Sequence, residues 1–150
     1  MDTLLPGITA ERVPTSRLTV NVLSVAGRTG PPVLFVHGNV SSSLFWQPMM
    51  LALPETFRPL AIDLRGFGDT DDEPVDATRG VRDFSDDLAA AIEALGLDTV
   101  HLVGWSMGGR GGAAVPGGPA GRAPGLVADA RGSGLPVRVR RDQGRGWHPV

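Results

Sequence analysis

A largely apolar run, Thr99 to Val103 (TVHLV), passes without a spacer into Gly104, Trp105, Ser106, Met107 and Gly108, and this junction constrains the chain more than any other segment. Five residues are too few for a helix and suit a buried strand. The Gly-x-Ser-x-Gly that follows suits a sharp strand-to-helix turn, because Gly104 and Gly108 carry no Cβ where the backbone folds back on itself. Such a turn would hold the Ser106 hydroxyl out for nucleophilic attack. In a chain with 21 glycines the five-residue pattern arises easily by chance, so its weight comes from its place after a strand.

A second apolar run, Pro32 to Val36, reads as a strand buried on both faces and ends in His37, Gly38 and Asn39. The two runs are complementary in chemistry. Attack of a hydroxyl on an acyl carbon creates an oxyanion that needs preorganised N–H donors. The loop after the first strand offers the Asn39 backbone N–H, and the residue after the serine, Met107, offers the other. Both act through the main chain, so their side-chain identities are secondary.

Three blocks, Val33–Asn39 (VLFVHGN), Asp63–Asp71 (DLRGFGDTD) and Val103–Gly109 (VGWSMGG), resemble the α/β-hydrolase family in order and spacing, and the resemblance covers roughly residues 17 to 109. It implies an α/β fold, the amino-terminal portion of a mostly parallel hydrolase sheet with helices on both faces. It also implies a nucleophile at Ser106 and oxyanion donors at Asn39 and Met107. The middle block has Thr70 where the family usually has Ser, which keeps a hydroxyl in a structural turn. His37-Gly38-Asn39 followed by Ser41, Ser42, Ser43 and Trp46 is similar to haloalkane dehalogenases. In those enzymes and in epoxide hydrolases Asp stands at the nucleophile position, so Ser106 points instead to an ester, thioester, lactone or related acyl substrate.

Composition divides the chain. Up to residue 109, seven arginines face fourteen acidic residues; from 110 to 150, seven arginines face two aspartates. Of the last 41 residues, 28 are Gly, Ala, Pro or Arg. Such a segment buries too little apolar surface to offset its ordering entropy, and Pro116, Pro119 and Pro124 oppose the helix due after the elbow. The expectation is therefore a truncated hydrolase domain over 1–109 and a tail over 110–150, disordered or out of frame. All 14 basic residues are Arg, and Gly, Ala, Pro and Arg are residues of GC-rich codons, which favours out-of-frame translation over a natural tail. An RNA-binding arm would want aromatics interleaved with Arg-Gly units, and only Trp147 and His148 supply rings, so no nucleic-acid partner is expected.

The amino end lacks a basic stretch before an apolar core, and no window approaches the ~18 apolar residues of a membrane span. A soluble, cytoplasmic protein without a membrane partner is expected. There is no cysteine, and no metal-ligand or phosphate-cradling spacing, so neither metal nor cofactor is called for. The partner expected for the parent enzyme is a small acyl substrate.

Between the blocks, Arg17–Val25 alternates like an early antiparallel strand, Gly27–Pro31 turns, and Phe57–Ile62 reads as another buried strand. Ser43 can cap a helix bearing Trp46, Met49, Met50 and Leu53 on one face, and Val81, Phe84, Leu88, Ile92 and Leu95 mark a second helix closed by Gly96. Asp71–Asp76 suits a solvated loop. His37 precedes the nucleophile, so it should orient its loop rather than act as base; His101 suits a packed strand position, and Asp63 and Arg65 suit loop-bracing roles. Trp105 can either line an acyl pocket or fill space.

A serine hydrolase also needs an acid and then a His after the nucleophile. Only Asp129, Asp142 and His148 follow Ser106, all within the Gly/Ala/Pro/Arg-rich segment. The expectation is a chain that is itself inactive, with an uncovered sheet that promotes self-association or aggregation. The alternative is a non-catalytic small-molecule-binding protein on an incomplete hydrolase scaffold.

Overall fold

The computed structural model describes residues 4–113 and 126–129. Its backbone forms six strands, β1 (Ile8–Pro14), β2 (Thr19–Val25), β3 (Pro32–Val36), β4 (Arg58–Ile62), β5 (His101–Gly104) and β6 (Leu126–Asp129), in one sheet of order β1-β2-β4-β3-β5-β6. β1 and β2 form an antiparallel pair, and β2 runs antiparallel to β4; from β4 onward every neighbour is parallel. Parallel neighbours need crossover connections, and the helices supply them. This is the α/β architecture the alternating strand and helix patterns imply.

The sheet separates two apolar layers. Leu34 and Val36 of β3, Leu60 and Ile62 of β4 and Leu102 of β5 face α2 (Arg82–Ala94), where Phe84, Leu88 and Ala91 meet them. Val33, Phe35 and Ala61 face the other way, onto Trp46 and Met50. Because β3 is covered on both sides, its four residues Val33 to Val36 are all buried, which is why the sequence there is apolar without alternation.

α2 follows its apolar spacing as expected. Gly96 adopts φ 64° and closes the helix, with Leu97 N–H donating to Ile92 O (3.1 Å) and Gly96 N–H to Glu93 O (2.9 Å). The first helix differs from its expected start at Ser43. Ser43–Trp46 is a tight 3-10 turn, and the α-helix α1 spans Gln47–Ala52. Pro48 accounts for the difference, since a proline lacks the N–H of a helix interior and is accommodated only in a first turn. Met49 consequently turns outward, half exposed, while Met50 is buried.

The α/β pattern also continues past residue 109, where the tail was expected to begin. α3 spans Met107–Ala113, and β6 pairs in parallel with β5 over His101↔Leu126 to Gly104↔Asp129. The short apolar run Leu126-Val127-Ala128 lies in a Gly/Ala/Pro/Arg-rich region and pairs where the sheet has a free edge. Pro116, Pro119, Pro124, Asp142, His148 and the rest of the proposed out-of-frame tail lie outside the described residues. Among the described residues no helix is long and apolar enough to cross a membrane.

Leu88 is fully buried at the centre of the α2–sheet contact. Leu88→Ala should lower the unfolding free energy by about 2–5 kcal/mol in a urea titration. A loss under about 1 kcal/mol would mean that α2 does not seat on the sheet.

Candidate active site

β3 and β5 are adjacent and parallel, with Val36 opposite Gly104, so the residues that follow them leave the sheet side by side. Trp105 N–H donates to Val36 O (3.2 Å) and prolongs that pairing by one step. Gly108 N–H then donates to Trp105 O (2.9 Å) and closes a tight turn around Ser106. Ser106 sits at φ 54°, in the left-handed region that L-residues enter at a cost of about 1–2 kcal/mol, and it is exposed.

The turn exists because three positions have no side chain. A Cβ on Gly104 would lie 2.6 Å from the Gly108 carbonyl carbon and from Gly109 N. One on Gly108 would collide with the carbonyl oxygens of Val36 and His37, which are backbone atoms that cannot turn aside. One on Gly38 would lie 3.1 Å from Ser106 Cβ and 3.2 Å from a ring carbon of Trp105. The loop after β3 therefore rests directly on the elbow.

That loop is braced from beneath. The His37 ring is fully buried; Nδ1 donates to Gly38 O (2.7 Å), and Nε2 accepts from Leu64 N–H (3.0 Å). This fixes the neutral tautomer with both nitrogens engaged, and Phe67 packs edge-on against the ring at 5.2 Å. Burial pushes the His37 pKa below its ordinary 6.5, against the opposing pull of the Gly38 carbonyl and the Asp63 charge. His37 is a loop-orienting residue, as its position before the nucleophile suggested.

Asp63, at the end of β4, is the second brace. Its carboxylate accepts from Ser43 N–H (2.5 Å), Asn21 Nδ2 (2.8 Å) and Asp69 N–H (3.2 Å), which ties the residues after Asn39, strand β2 and the Asp63–Asp71 loop to one buried group. Thr70 Oγ1 donates to Asp63 O (2.8 Å) and accepts from Asn21 N–H (2.8 Å), so the hydroxyl expected of this position is in use. Asp71 accepts from Thr19 N–H (2.8 Å) and pairs with Arg12; those two partners hold its carboxyl below the usual carboxylate range. Arg65 forms a fork on Asp87 of α2 (2.6 and 2.8 Å), fastening the same loop to the helix. Asp63 and Arg65 are thus structural.

Gly38 and Asn39 follow β3, and Ser106 and Met107 follow β5, so the four stand at the carboxyl ends of two neighbouring interior strands. Asn39 is exposed, Met107 begins α3, and neither N–H meets an acceptor among the described residues. Met107's side chain is partly buried and packs against the core layer that faces α2. His101 stands at the opposite end of β5 from the elbow, half-buried against Phe57. The backbone of Asp129 closes β6 beside Gly104. Two features escaped the sequence. Val40 adopts φ 55° while 90% exposed, and Phe45 stacks on Trp105. Neither follows from composition or periodicity, because both depend on how the loop lands on the elbow.

The alpha/beta hydrolase fold family matches residues 31–130. The chain is 37% identical over 101 residues to 2-(acetamidomethylene)succinate hydrolase of Mesorhizobium japonicum, covering 67% of this chain and 35% of that one. It is 36% identical over 97 residues to epoxide hydrolase 2 of Siraitia grosvenorii, covering 64% and 30%. Among solved structures, the epoxide hydrolase VrEH1 of Vigna radiata superposes with a TM-score of 0.72 at 26% identity, over 84% of this chain and 38% of that one. The chain spans about a third of the length of the curated relatives it matches.

Two outcomes follow from this geometry. Gly108→Ala should cost at least about 2–3 kcal/mol in urea unfolding, because the methyl group meets immovable backbone, whereas Gly38→Ala should cost about 1 kcal/mol. Equal, negligible losses would refute the close approach. His37 is held neutral in the folded chain, so its contribution to stability is complete above pH 6.5 and lost as pH falls below that value toward the depressed folded pKa. His37→Gln should flatten this part of the stability–pH curve; an unchanged slope would show that His37 does not cause it.

Proposed function

The chain belongs to the α/β-hydrolase family, and from that premise we propose that Ser106 is the nucleophile of a serine-type acyl hydrolase. The parent activity in this reading is cleavage of an ester or related acyl bond. Ser106 Oγ attacks the acyl carbon, its proton passing to a base, and the carbonyl oxygen becomes an oxyanion met by the Asn39 and Met107 N–H groups. Expulsion of the alcohol leaves an acyl-enzyme that water then hydrolyses. The observation that carries this reading is the exposed serine at φ 54° on a turn that only glycines at 104 and 108 permit. The same position would suit an aspartate in epoxide hydrolases, and a hydroxyl here favours acyl chemistry over epoxide opening.

The chain on its own is read as inactive. A base must reach the hydroxyl within about 2.6–3.2 Å. His37 has both ring nitrogens engaged, and His101 lies three residues, about 10 Å, down β5 from Gly104. That leaves His148, with Asp142 or with Asp129 at the end of β6 as its orienting acid, and both His148 and Asp142 lie in the segment least suited by composition to hold fixed geometry. The second reading, a non-catalytic small-molecule-binding protein, is favoured by the fully engaged His37 ring and by an exposed aromatic surface at Phe45 and Trp105.

A fluorophosphonate probe separates these readings. Slow labelling that falls to background in Ser106→Ala and is unchanged in His148→Ala is the expected result, with no multiple turnover of 4-nitrophenyl acetate. Absence of labelling would favour the binding reading. Sustained turnover lost in His148→Ala would overturn the proposed inactivity.

A further inference from the structure

The geometry points to a recognition role for Phe45 and Trp105: together they form a wall for a planar, apolar group, an aryl or conjugated acyl moiety, on the molecule held at Ser106. This rests on the reading of Ser106 as the reacting residue. The two rings stack at 5.3 Å between centroids with their planes 19° apart. They remain 56% and 37% exposed, so the fold does not use them as core.

Their position is fixed from two sides. Phe45 stands edge-on to Trp46 at 5.2 Å, and Trp46, buried, lies on Phe35 of β3 at 5.0 Å. A ladder of four rings thus runs from the core to the surface. At its outer end the Trp105 ring lies over Gly38, the residue whose missing side chain also admits Ser106 Cβ. The Trp105 ring and Ser106 Cβ therefore flank the same glycine, which sets the rings beside the residue that reacts in the proposed function.

The chemistry of the wall selects for flatness. Aromatic faces carry a quadrupole that rewards offset or edge-on contact with another ring, beyond the area that any apolar group would bury. The polar groups of the adjoining Asp63–Asp71 loop do not compete for that surface, since the Asp63 carboxylate takes three N–H donors and Arg65 is forked on Asp87. Rings held by a ladder lose little freedom on binding, which preserves the gain.

The test uses the Ser106→Ala chain, in which no acyl-enzyme can form, so its result is independent of labelling at Ser106. Methyl benzoate and methyl cyclohexanecarboxylate, equal in carbon count and different in planarity, are titrated by calorimetry. The benzoate should bind about three- to tenfold more tightly. Phe45→Ala, its unfolding midpoint in urea measured alongside to establish that it is folded, should reduce that preference below about twofold, as should Trp105→Leu. Equal affinity, no saturable binding of either ester, or a preference that survives Phe45→Ala would overturn the proposal. Absence of fluorophosphonate labelling alongside an intact benzoate preference would overturn the nucleophile reading and leave the wall standing.

Discussion

The whole arrangement depends on one close approach of backbone to backbone. The start of α3 comes down on the ends of β3 and β5 so tightly that Gly104 and Gly108 meet carbonyl groups where any other residue would carry a methyl. That contact lets the chain reverse within two residues and drives Ser106 into a left-handed conformation. About 1–2 kcal/mol of strain is thereby concentrated on the residue with the useful hydroxyl, and the surrounding structure over-determines it. A chain with larger residues at these positions would need a longer turn, and the serine would sit lower.

Bracing of the facing loop is the second requirement, and it is polar. Asp63 is a buried carboxylate whose desolvation would cost several kcal/mol were it not met by three N–H donors. Those donors come from three different segments, so one side chain registers β2, the residues after Asn39 and the loop after β4 against each other. His37 does the same for Gly38 and Leu64 with a neutral ring. A buried group with every lone pair or proton engaged fixes position better than apolar contact, which has no direction. The hydrophobic layers hold the sheet and helices, while these polar groups set the site.

How far the sequence disclosed this can be judged residue by residue. β3, β4 and α2 were legible because burial on both faces or on one helical stripe writes a pattern in a single segment. The motifs that carry Ser106, Asn39 and Met107 are local and can be read from single segments, and the loop after β3 and the turn after β5 lie against each other at the carboxyl ends of those strands. β1 was not legible: only Ile8 and Val13 of ITAERVP are buried, which leaves no period to read. Composition describes a stretch on average, and a three-residue apolar run within the Gly/Ala/Pro/Arg-rich segment, Leu126 to Ala128, still pairs with β5. The Phe45–Trp105 stack and the left-handed Val40 arise from contacts between segments some sixty residues apart, or from a loop forced to land on the elbow. No window of sequence contains such information.

In the proposed reading the left-handed Ser106 works with two main-chain amides, of Asn39 and Met107, that meet no acceptor among the described residues. The most direct test of that reading is an amide NMR titration with phenylboronic acid, followed in parallel by boron NMR. A tetrahedral boron signal, with the largest downfield proton shifts at the Asn39 and Met107 amides and none in Ser106→Ala, is the predicted result. Equal shifts in Ser106→Ala, or perturbations confined to other amides, would contradict it.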